Sequence, residues 1–274
     1  MDEKKLSKTE ELAQEIMAFA RDSLLVNLRF LDSALDRVPL EISDSRYSTD
    51  GMNIFYEPRQ VLLDYRAEKT LPCRNYLHIL LHCILGHITG PSEEEKNSDR
   101  ALWNIACDIA AEYVICGLGL SVTASIKEQR QKRVFARIQE NSGLMTAEKI
   151  YRYLLKKKPD SVETDSLNEL FRVDRHDKWR RDDAMIARWK SVSRRMQVDM
   201  ETFARRQGAK AGALIANLRE ANREISDYAG FLRQFAVQGE GLKTDPDEFD
   251  YILYSYGLQL TGGKSPFIEI GRAS

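Results

Sequence analysis

Leu77-His78-Ile79-Leu80-Leu81-His82-Cys83-Ile84-Leu85-Gly86-His87 holds three of the four histidines in this chain. His78 and His82 are four residues apart, so on a helix they project from one face, a turn apart. Almost everything else in the stretch is apolar, and the helix reads as buried all round. Two imidazoles on one face of a buried helix are the usual helical half of a zinc site. A zinc peptidase places Glu directly after the first His, as general base on the metal-bound water. Ile79 stands there instead. The metal-binding half of the motif is present and the base is not. The competing account is a pair of core histidines hydrogen-bonded inside a helical domain.

Outward from this stretch, Thr70-Leu71-Pro72 starts the helix, with Pro where its missing N–H costs nothing. Gly86 or Gly90-Pro91 ends it. Ser98 or Asp99 caps a second apolar helix, Arg100 to Cys116, closed by Gly117. Within it Asn104, Asp108 and Glu112 recur every four positions and form one polar stripe. Such a stripe is ordinarily the solvated face. The rival reading turns it toward His78 and His82, so that it supplies an acidic ligand. Two imidazoles and a carboxylate with a fourth position open is the composition of a catalytic zinc site.

Ser7 with Glu10 makes a capping box, and Leu12, Ile16, Phe19, Leu24, Leu28, Leu31 and Leu35 follow at near-helical spacing. A first helix is expected to run to about Arg37. Thr49-Asp50-Gly51 signals a turn, and Asn53-Ile54-Phe55-Tyr56 reads as an edge strand or hairpin stopped by Pro58. Later, Thr146 to Leu155 is a capped amphipathic helix, Lys156 to Asp165 a polar linker, and Trp189 to Phe235 one or two long charged helices. Phe249 to Tyr256 is aromatic and β-prone.

A length of 274 residues allows one large or two modest domains. With 41 basic and 42 acidic residues, nothing global argues for nucleic acid or an anionic membrane. The basic segments lack aromatic interleaving or a groove-reading motif. Cys73, Cys83, Cys107 and Cys116 have no CxxC spacing and read as free, buried thiols of a reducing cytosol. No apolar run reaches about 18 residues and no signal-peptide core follows the N-terminus. A cytoplasmic protein is expected.

Taken together, several stretches resemble a bacterial family of zincin-like metallopeptidase-type domains that precede a von Willebrand factor A-like domain. They are Thr49-Asp50-Gly51 with Phe55-Tyr56, the His78/His82/Gly86-His87 helix, Trp103-Asn104-Ile105-Ala106-Cys107-Asp108, and Met145 to Tyr151. Asp174, His176 and Trp179 follow, then Asp227-Tyr228 to Ala236, and Phe249 to Leu258. The similarity runs through nearly the whole chain in order.

The resemblance implies metal ligation by His78, His82 and Asp108, with zinc as the metal. It also implies an α+β, mainly α fold. A zincin-like helical core with a small hairpin or short sheet would span 1–159. Helices over 160–274 would either extend that core or form a second lobe, an extension leading to a von Willebrand factor A-like domain expected to be absent, since no Asp-x-Ser-x-Ser motif is present.

Glu112 is the runner-up ligand, or an acceptor that fixes an imidazole tautomer, and with Asp174 a substitute base. His87 is expected to be structural, unless Gly86 breaks the helix and swings it back. His176, flanked by Asp174 and Asp177, could approach the site from a later loop, but a histidine so placed is more often on the surface. A general base is worth roughly 10²–10⁴ in rate, so a metallopeptidase-like protein that binds metal but hydrolyses peptides poorly is expected. The alternative is a non-enzymatic helical scaffold. The resemblance implies an AAA+ ATPase of the MoxR type as its partner.

Overall fold

The computed structural model describes residues 7–44, 46–91, 99–207 and 212–222, with the side chains of 202–207 left aside. The architecture is mainly helical α+β, a set of helices with one small sheet. The first helix, α1 (Lys8–Asn27), begins in the expected capping box: the Glu10 N–H donates to Ser7 Oγ, and the Ser7 N–H to Glu10 Oε2. It does not reach Arg37. Leu28 leaves helical geometry at φ −134°, and a 3-10 turn (Arg29–Leu31) leads into the one-turn α2 (Asp32–Leu35). The break keeps Leu28, Leu31 and Leu35 buried while the chain changes direction, a case of packing overriding local periodicity.

Strands β1 (Leu40–Ile42), β2 (Ser48–Thr49) and β3 (Ile54–Tyr56) form a sheet in the order β1-β3-β2. β3 pairs in parallel with β1 and antiparallel with β2, so it is the central strand rather than an edge. Pro58 has no ladder bond to forfeit. It opens α3 (Pro58–Ala67), a helix the sequence reading missed, at a position where proline is well tolerated. The turn before β3 is held by Asp50 Oδ1, which accepts from the Met52 and Asn53 N–H groups. Gly51 sits there at φ +85°, and a Cβ on it would overlap the Met185 sulfur.

The His helix is α4 (Leu71–Ile84), with Pro72 in its first turn and every residue from Pro72 to Ile84 buried. Gly86, left-handed at φ 75°, ends it. Asp99 caps α5 (Arg100–Leu118) by accepting from the Ala101 and Leu102 N–H groups. This helix runs two residues past the expected stop and ends at Gly119, left-handed at φ 60°. By length and composition α5 could cross a membrane, but most of it is buried among other helices.

The expected linker over 156–165 shrinks to 158–160, between the end of one helix and the start of the next. Following α6 (Glu128–Ser142) and α7 (Ala147–Lys157), α8 (Ser161–Phe171) is capped by Asp160, which accepts from Glu163 N. Then come α9 (Asp183–Gln207) and α10 (Gly212–Ala221). α7, α8 and α10 pack on α5, and α9 packs on α4. All described residues belong to one compact unit, so no lobe boundary falls at residue 160. The later helices extend the core because α5 is apolar on nearly every side and needs covering. The expectations for residues 223–274 lie outside the described residues, as does the acidic stretch Glu93-Glu94-Glu95.

Candidate metal centre

α4 and α5 run antiparallel, and two stripes of four-residue period meet along their contact. Arg74, His78 and His82 lie on one, and Glu112 and Asp108 on the other. Arg74 meets Glu112 at 2.6 Å, His78 Nδ1 meets Glu112 Oε1 at 2.9 Å, and His82 Nε2 meets Asp108 Oδ1 at 3.3 Å. The α5 stripe is therefore not a solvated face. Asp108 and Glu112 are 2% and 1% exposed, and both point at imidazoles.

The segment between α8 and α9 completes the cluster. His176, read from sequence as a surface residue, is buried with Asp174 against the same point. Arg175 between them makes an isolated parallel bridge with Ser48, its N–H donating to the Tyr47 carbonyl at 2.8 Å. This tie to the end of β2 turns the two neighbours of Arg175 inward, since side chains alternate across an extended segment. The Trp179 ring then stacks on His176 at 3.8 Å and meets the edge of His82 at 4.9 Å, closing the site from outside.

One donor atom from each of His78, His82, Asp108 and Asp174 lies within 4.8 Å of the other three. Asp108 Oδ1 stands 3.4 Å from His78 Nε2 and 3.3 Å from His82 Nε2. Asp174 Oδ1 stands 3.7 and 3.6 Å from the same nitrogens. A tetrahedral ion with bonds of roughly 2.0–2.1 Å sets its ligand atoms about 3.3–3.4 Å apart, and the four imidazole–carboxylate spacings lie within a few tenths of an ångström of that. Two buried atoms of the cage, His82 Nε2 and Asp174 Oδ2, have no hydrogen-bond partner. Leaving such groups unsatisfied costs about 1–3 kcal/mol each. A cation supplies a ready partner for the His82 nitrogen, and the donor set suits zinc.

The surrounding groups set the tautomers. His78 Nδ1 donates to Glu112, so that once the ring gives up its second proton the Nε2 lone pair faces the cage. Glu112 in turn accepts at Oε2 from Arg74 and Gln131. It lies outside the four-atom cage and holds a ligand in place rather than serving as one. Burial pulls His78 down, but the hydrogen bonds its ring donates to Asp108 and Glu112, and their charges, lift its pKa to about 9. Burial keeps His82 neutral, with a pKa lowered to about 4. Asp108 is held well below the ordinary carboxylate range, because His176 and the other imidazoles outweigh its burial. His176 Nε2 lies 3.2 Å from Asp108 Oδ1 and 3.1 Å from Asp174 Oδ1. Its pKa rises to about 10 because the two carboxylates overcome its burial.

Sequence reasoning offered Asp174 only as a substitute base and His176 chiefly as a surface residue. The available signal was an Asp-x-His triplet with a tryptophan close behind, but only the tie to β2 shows where it goes. No family model, curated protein or solved structure matches this chain.

Proposed function

We propose that this protein is a zincin-like metal-binding module, derived from a metallopeptidase plan and impaired as a hydrolase. The observation that carries the reading is the convergence of His78, His82, Asp108 and Asp174 donor atoms within 4.8 Å of one another in a buried site. When bound, zinc would supply Lewis acidity and lower the pKa of a coordinated water.

The chain's own residues favour holding over turnover. Asp174 fills the fourth position that a catalytic site keeps open, and Trp179 and His176 shut the approach. Ile79 is fully buried in the core, so the place of the missing base is closed as well as apolar. Glu112 cannot replace that base while Arg74, Gln131 and His78 share its oxygens. The metal would instead join α4, α5 and the 172–182 segment, a structural use of a donor set of catalytic type. This closed arrangement also fits a scaffold that works through partners, an AAA+ ATPase among them. The buried free thiols fit a cytoplasmic setting.

Elemental analysis of the purified chain tests the reading. About one zinc per chain is expected, lost in Asp108→Asn and His82→Ala, with negligible cleavage of unstructured peptides. Absence of metal after purification and after zinc reconstitution refutes it, and metal-dependent peptidase activity refutes the impaired half. Ile79→Glu is expected to restore no activity and to destabilise the fold, because it buries a carboxylate without a partner.

A further inference from the structure

One face of the molecule, made by α1 and α3, is apolar at its surface. Leu12, Phe19 and Val26 recur every seven residues along α1 and are 48%, 66% and 76% exposed. Leu63 on α3 is exposed as well, and an open groove between the two helices is lined by Leu12, Glu15, Ile16, Phe19, Leu62 and Tyr65. Exposed apolar side chains scattered singly need no explanation, but a contiguous set on neighbouring helices marks an interaction surface.

The charges around this surface define what fits it. Glu11, Glu15 and Asp22 lie along the apolar stripe of α1, and Arg59, Arg66 and Lys69 lie on α3 or just past its end. All six are exposed, and none is ion-paired among the described residues. Neighbouring charges are engaged elsewhere. Arg21 pairs with Asp36, Glu10 is held in the capping box, and Asp64 accepts from the Gln60 and Asn75 amides. Glu68 accepts from Ser125 Oγ and the Ile126 N–H, and Arg29 falls beyond the end of α1. Lys8 and Glu57, at the starts of the two helices, repeat the pattern with the signs exchanged. One wall of the groove is therefore acidic and the other basic, over matched lengths. Glu15 and Asp22 are seven residues apart, as are Arg59 and Arg66, and seven residues of helix rise about 10.5 Å.

A surface with an apolar middle, one acidic wall and one basic wall is complementary to itself. A two-fold axis running along the groove lays α1 of each copy on α3 of the other, so that the acidic wall meets the basic one twice. Pairing α1 with α1 would instead set like charges together. We propose that this face is the interface of a two-fold homodimer, its apolar stripe buried in the middle and its charged walls paired across the axis. The interface uses no residue of the metal centre and stands whether or not metal is bound. Helices of 20 and 10 residues make a face smaller than an obligate interface, so exchange with monomer at micromolar concentrations is expected.

Sedimentation equilibrium of the full chain in reducing buffer, over the micromolar range, tests the proposal. A reversible monomer–dimer equilibrium is expected. The variant E15R/D22R reverses one wall and R59E/R66E the other, all at exposed positions, so circular dichroism should show unchanged helicity. Each variant alone should dimerise at least about tenfold more weakly, because like charges then face each other at both contacts. Mixed in equal amounts, the two should recover parental dimerisation, since every acidic wall again meets a basic one. Phe19→Ser, which interrupts the apolar stripe, should weaken the parental dimer to a similar degree. A chain that stays monomeric into the high micromolar range, a dimer indifferent to both reversals, or a mixture no stronger than its components overturns the proposal.

Discussion

His82 Nδ1 and His87 Nδ1 lie 2.9 Å apart, one turn past the end of the His helix, in a contact that needs one proton and one lone pair. Burial keeps both rings neutral, lowering the pKa of each. If His82 donates, its Nε2 is bare and faces Asp108, the form a metal requires. The left-handed turn at Gly86 brings His87 back to make this contact, while the His87 carbonyl accepts from Trp103 Nε1 at 3.3 Å.

His87→Phe keeps a ring of similar bulk but removes the acceptor. Zinc affinity is expected to fall by about 10–100-fold, the usual cost of losing a partner behind a ligand. Competition with a calibrated chelator measures this, and circular dichroism should show unchanged helicity. Unaltered affinity would mean that His82 does not rely on its neighbour.

Arg74 is 3% exposed and donates to Glu112, Gln131, Glu128 and the Thr123 carbonyl. Arg74→Ala should destabilise the chain by about 3–5 kcal/mol, because it strands the Glu112 charge in the interior. Adding Glu112→Gln should return part of that loss, a coupling that urea unfolding of both variants would reveal. Additive effects would show that the pair is not a unit.

Metal and protons compete for His78. In the metal-free protein its pKa is raised from 6.5 to about 9, so its protonated contacts stabilise the fold fully below pH 6.5 and are lost as pH rises through 9. Metal needs the deprotonated ring. Zinc affinity should therefore climb by about tenfold per pH unit for each proton displaced, levelling off near the metal-free pKa. Proton release measured by calorimetry in buffers of different ionisation enthalpy checks this. Pure acid–base indifference between pH 6.5 and 8.5 would be the contrary result.

The segment holding Asp174 and His176 is tied down by the Arg175 bridge, the Arg100 contact to the Trp179 carbonyl at 3.3 Å and Lys178 over the Phe55 ring. A metal would be its strongest anchor. Chelation should make trypsin cut sooner at Arg175, Lys178 or Arg180, and should shift the Trp179 emission as the ring leaves His176. Identical digestion with and without chelator would show that the closure needs no ion.

Much of the frame was legible because its signals are local. The cap at Ser7, the proline opening α4 and the glycine ending it each act within a few residues, as does the four-residue spacing of His78 and His82. Other boundaries were misread where distant packing outweighed local pattern. Leu28 continues a helical period but breaks the helix, and the polar run after Lys156 forms α8 because Leu167, Leu170 and Phe171 bury against the core.

By itself, the sequence determined the two rods, the faces their histidines and carboxylates occupy, and the absence of a glutamate at position 79, since helical periodicity converts spacing directly into direction. Only the tertiary structure decided that those faces meet and that Glu112 stands behind His78. It alone also seats Asp174 and His176 at the same point. The physical reason is distance along the chain: Asp174 is 92 residues from His82, and no local rule records how a loop is drawn in by a backbone bond to Tyr47.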